Sequence, residues 1–145
     1  MSTKSLPRKP FYTSISMMFL LPLLILFSNI ILTIMLGIKT INEYRIDKLF
    51  HIFGGVSISF SSAGILWYLI RRKIVKLHDA NVFRVLVFGF LCFTVIAWEI
   101  LEYILQIEPD YLTYTDTISD MICGLIGGLS AMLFLRKLGL DRNCF

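Results

Sequence analysis

Four long apolar stretches constrain this chain more than any other feature. A bilayer core about 30 Å thick is crossed by roughly 20 apolar residues in a helix. Residues 15–38, 48–70, 85–106 and 116–136 each reach that length. Backbone inside a bilayer must satisfy its own hydrogen bonds, which predicts a helix for every span. The expected fold is all-α: a polytopic membrane protein built as a four-transmembrane-helix bundle over residues 15–138. Tails 1–14 and 139–145 flank it. Composition agrees, with 57% hydrophobic and 17% charged residues in 145, against about a quarter charged in soluble domains. The three cysteines form no CxxC, so neither a zinc ribbon nor a disulfide framework is expected. The first span follows Lys4, Arg8 and Lys9, as a signal peptide would. It is too long for such a segment and has no small-residue cleavage site, so it reads as a helix, bent slightly at Pro22.

Basic residues orient the spans. The N-terminal tail, the loop after the second span and the C-terminal tail hold eleven of the 14 Lys and Arg residues. The other two loops hold only Lys39, Arg45 and Lys48. The positive-inside rule therefore predicts cytoplasmic termini, with loops 39–47 and 107–115 outside. On this reading the charge belongs to topology and lipid head groups, and no nucleic-acid partner is expected. The expected location is a prokaryotic cytoplasmic membrane. Small residues mark the packing. The second span runs through Gly54, Gly55, Ser57, Ser59, Ser61, Ser62 and Ala63, and the fourth carries Gly124, Gly127 and Gly128. Such side chains let helices approach closely, which predicts the second and fourth spans at the bundle centre.

The polar residues inside the spans point to a site. An Asp at the centre of a transmembrane helix costs about 2.5–3.5 kcal/mol on insertion scales. Yet Asp47, Lys48 and His51 open the second span, Glu99 and Glu102 lie near the end of the third, and Asp116 and Asp120 open the fourth. The spacings i,i+4, i,i+3 and i,i+4 put each pair on one helix face, and the topology brings all three to the outer half. At 1.5 Å per residue, Glu99 lies roughly 12 Å and Glu102 roughly 7 Å below the boundary. Glu99 is the expected centre, with His51, Asp120 and Glu102 as catalytic candidates. His51, Glu99 and Asp120 are the expected ligands if a divalent metal is bound, and Asp47, Lys48 and Asp116 support them. Asp47 and Asp116 could also serve as helix N-caps. Five carboxylates against Arg45, Lys48 and His51 call for a cation, a metal or protonated carboxyls. The loop residues Tyr111 and Tyr114 read as an interfacial aromatic belt.

The strings Asp47-Lys48-Leu49-Phe50-His51, Trp98-Glu99-Ile100-Leu101-Glu102 and Asp116-Thr117-Ile118-Ser119-Asp120-Met121 resemble, in order and spacing, the three motifs of YjdF-type bacterial membrane proteins. More distantly they are similar to the VanZ-like family, where Glu102 with Gln106, and Asp120 ahead of Gly124 and Gly128, match its later motifs. The resemblance spans about residues 45–136. It departs in having one span ahead of the first motif, and Tyr114-Thr115 where VanZ-like proteins carry an Arg. It implies a fold and a site position rather than a reaction. Three functions stay open. One is an envelope enzyme on a lipid or lipid-linked, amphiphilic substrate, with a divalent metal polarising an oxygen and a Glu as base. The others are a cation- or proton-coupled transporter, and a non-catalytic scaffold or binding protein. A homodimer is compatible with each.

Overall fold

The structure is a computed structural model that describes residues 15–37, 45–105 and 114–137. The tails, Gln106, Tyr111 and most of the two loops expected outside lie beyond the described residues. Those residues hold four helices and no strand: α1 Ile15–Leu36, α2 Ile46–Arg71, α3 Ala80–Leu105 and α4 Tyr114–Lys137. Their lengths of 22 to 26 residues correspond to about 33–39 Å, and all four are apolar enough to cross a membrane. The protein is a four-helix membrane bundle.

Helix ends have local causes. α3 starts five residues ahead of the apolar run, because Asp79 caps it. Its Oδ1 accepts the Asn81 N–H at 2.8 Å and its carbonyl accepts the Phe83 N–H at 3.2 Å. α2 ends where Lys73 takes a left-handed φ of 60°. There Arg71 stacks on Trp67 at 4.9 Å and Arg72 on Tyr68 at 5.4 Å. Such basic–aromatic pairs suit a membrane interface.

α2 is the axis of the bundle. It packs on all three other helices, most extensively on α4, while α1 makes its close approach to α2. The glycines explain the α2–α4 contact. A Cβ on Gly55 would overlap the Gly124 carbonyl, and one on Gly127 would overlap the Ile52 carbonyl. Backbone touches backbone at both points, so the expectation of a central α2–α4 pair holds. Gly54 differs: a Cβ there meets nothing within 4 Å.

The polarity of a soluble protein is reversed. Leu133, Phe93, Val85 and Ile104 are exposed, while Ser57, Ser59, Ser61 and Ser62 are buried. Lipid is as apolar as leucine, so burying apolar side chains brings little gain and close packing dominates. Two hydroxyls bond their own helix, Ser57 Oγ to the Gly54 carbonyl at 2.7 Å and Ser62 Oγ to the Ser59 carbonyl at 3.2 Å. An apolar core of Ala63, Phe83, Val87 and Leu135 fills the end where α2 leads into α3. The carboxylates of the spans, with Lys48 and His51, collect at the other end.

Candidate functional site

Two linked clusters occupy that end, where α2 and α4 begin and α3 finishes. The first is built on Lys48. Its Nζ donates to Asp116 Oδ1 and Asp120 Oδ1, each at 2.6 Å, and lies 3.3 Å from Asp47 Oδ2. One turn of α2 holds Asp47 and Lys48, and one turn of α4 holds Asp116 and Asp120. The close approach enforced by Gly55, Gly124 and Gly127 lets a single ammonium reach both helices. Asp120 is fully buried at 0% exposure. A buried carboxylate tolerates that position only when paired and hydrogen-bonded.

The second cluster is His51, Glu99 and Glu102, whose ligand atoms lie within 4.8 Å of one another. His51 Nδ1 is 3.6 Å from Glu99 Oε1, and His51 Nε2 is 3.7 Å from Asp120 Oδ1. The imidazole therefore stands between the two carboxylates and joins the clusters. On α3, Trp98 Nε1 donates to Glu102 Oε1 at 2.6 Å across one turn. Glu99 and Glu102 are 8% and 9% exposed.

Several sequence expectations change here. Asp47 and Asp116 do not act as N-caps. Arg45 occupies the cap position of α2, and Asp116 lies inside α4, which begins at Tyr114. Both carboxylates turn to Lys48, because an ammonium satisfies them better than a frayed first turn does. Asp120 was expected as a metal ligand beside His51 and Glu99. Its Oδ1 accepts from Lys48 Nζ at 2.6 Å and lies 3.7 Å from His51 Nε2. Glu99 was expected to be the hardest acid to solvate, yet Asp120 is more completely enclosed. Depth along a helix sets distance from water, whereas burial depends on which neighbour the side chain faces, and Asp120 faces α2. Trp98 entered the sequence reading only as part of the Trp98–Glu102 string. Its i,i+4 relation to Glu102 was the signal for the hydrogen bond. Tyr103 and Tyr114 are 85% and 81% exposed and take no part.

A cavity of about 250 Å³ opens beside the second cluster, between α1, α2 and α3. Pro22, Leu26 and Asn29 of α1, Gly54 of α2 and Thr94 of α3 contribute to its overwhelmingly apolar wall. His51 and Trp98 belong to that wall as well. Gly54 thus lines space instead of a helix contact, which is why a Cβ there meets nothing. An apolar void of ~150 Å³ holds a benzene, so this one has room for a longer hydrocarbon segment. Comparison with protein-family models, curated proteins and solved structures returns no match to the chain.

Proposed function

We propose that this protein binds a lipid or lipid-linked amphiphile in the outer half of a prokaryotic cytoplasmic membrane. The hydrocarbon chain lies in the α1–α2–α3 cavity, and the polar group meets His51, Glu99 and Glu102. One observation carries this reading: His51 and Trp98 belong at once to the apolar cavity wall and to the polar network. An apolar slot ending at a few convergent polar groups is the ordinary form of a small-molecule site. The basic residues at the tails and at the α2–α3 loop support the orientation, with both termini cytoplasmic. The likeness to YjdF-type and VanZ-like membrane proteins supports an envelope role. On this reading Glu99 is placed to accept or donate a proton at the bound polar group, with His51 beside it.

A scaffold is the second reading, favoured by the Lys48 ion pairs, which tie α2 to α4 without needing any ligand. Gly54→Leu separates the two. The substitution fills the cavity while the α2–α4 contact at Gly55 is untouched. Co-purified and added lipids are measured by native mass spectrometry. Under the binding reading the variant stays folded and loses its bound amphiphile. Equal lipid occupancy in wild type and Gly54→Leu would leave the scaffold reading ahead.

A further inference from the structure

We infer that His51, Glu99 and Glu102 form a binding site for one divalent transition ion of the zinc type. Asp120 is then the residue that orients His51, rather than a ligand. This rests on the reading of the second cluster as a ligand site, but not on which amphiphile occupies the cavity.

The donor set comes first. One imidazole nitrogen with two carboxylate oxygens suits zinc and its first-row neighbours, whereas magnesium and calcium prefer oxygen alone. Spacing agrees. Two ligands about 2.1 Å from a tetrahedral ion stand roughly 3.4 Å apart, and His51 Nδ1 is 3.6 Å from Glu99 Oε1. All three residues offer atoms within 4.8 Å, so small side-chain rotations close the set. Asp47, Asp116 and Asp120 also lie within 4.8 Å of one another. That second group is already filled by the Lys48 ammonium, which leaves the histidine cluster as the metal site.

The surroundings of the cluster carry the inference further. Metal-binding histidines usually present one ring nitrogen to the ion and the other to a carboxylate. His51 comes near this arrangement, with Nδ1 3.6 Å from Glu99 Oε1 and Nε2 3.7 Å from Asp120 Oδ1, a few tenths of an ångström beyond hydrogen-bond distance. Lys48 Nζ donates to the same Asp120 oxygen at 2.6 Å and holds that carboxylate in place. Trp98 fixes Glu102 in the same way from α3. Two of the three donors, His51 and Glu102, therefore have a neighbour outside the cluster beside them. Asp120 Oδ2 is buried and has no hydrogen-bond partner among the described residues, and the Oδ1 of the same carboxylate lies 3.7 Å from His51 Nε2. Three protein ligands leave a fourth position for water or for a ligand oxygen.

The full chain, purified in detergent and stripped with a chelator, is titrated with Zn(II), Co(II) and Mg(II). The expected result is one zinc or cobalt per chain retained through gel filtration, with magnesium unable to compete. His51→Gln and Glu99→Gln abolish retention. Asp120→Asn weakens affinity about 10–100-fold, the usual loss when such an orienting partner is removed. His78→Gln, which alters the exposed second histidine, leaves stoichiometry unchanged. If a variant fails to fold, the wild-type cobalt spectrum decides alone. Nitrogen and oxygen ligation supports the site, while thiolate charge-transfer bands would move it to Cys123 and overturn the inference. Failure of folded wild type to retain either ion, or retention unchanged in His51→Gln, also overturns it. Gly54→Leu separates the two proposals, since it should lose the amphiphile and keep the zinc.

Discussion

Replacing Lys48 with methionine is expected to be the most damaging single change at this site. Methionine keeps the length and flexibility of the side chain but removes the ammonium. Three carboxylates then lose their shared cation, and their exposure sets the cost. The Asp47 and Asp116 side chains are 20% and 25% exposed and can draw on water or head groups, whereas Asp120 is fully enclosed. Partly exposed pairs contribute about 0–1 kcal/mol. Removing one partner of a buried pair costs about 3–5 kcal/mol. Nearly all of the loss should therefore come from Asp120, and the total should fall near 3–5 kcal/mol. For a chain of this size that corresponds to a Tm lower by roughly 10 °C. The assay is thermal unfolding in detergent, followed by helical circular dichroism. A double variant, Lys48→Met with Asp120→Asn, removes the stranded charge together with its partner. It should recover stability, with an interaction energy of roughly 1–3 kcal/mol. A Lys48→Met protein within 1 kcal/mol of wild type, or a double variant no better than the sum of its singles, would refute the assignment of Lys48 as the cation of a buried pair.

Two further outcomes test the packing and the topology. Gly127→Ala should separate α2 from α4 and lower the Tm sharply, because its Cβ overlaps the Ile52 carbonyl, whereas Gly54→Ala should be tolerated; equal Tm values for the two variants would contradict the packing described above. A cysteine introduced at Asn42 in a cysteine-free background should react with an impermeant maleimide on intact cells; reaction only after the cytoplasmic side is opened would reverse the orientation.

The spans could be read in the sequence because membrane crossing depends on a local sum. Length and hydropathy decide it, and no knowledge of neighbours is required. The same holds for the pairs Glu99 with Glu102 and Asp116 with Asp120, since helical spacing alone puts each pair on one face. The central α2–α4 contact was legible in Gly55, Gly124 and Gly127, because only small residues permit that approach. The tertiary structure decided what those faces meet. Gly54 and Gly55 are adjacent and identical in sequence, yet a Cβ on the first would meet open space and one on the second the Gly124 carbonyl, because a 100° turn of the helix separates them. Lys48 could be read as a supporting cation, but which carboxylates it meets was decided by the fold, which brings two aspartates of α4 to within 2.6 Å of it. That contact ties Asp120 to Lys48, while His51, Glu99 and Glu102 bring their ligand atoms within 4.8 Å of one another. The cavity needs α1, α2 and α3 together, and no one of their sequences contains it. Local chemistry is written along the chain, but ion pairing and empty space arise only between helices, so the partners of Lys48 and the room beside His51 became visible only in three dimensions.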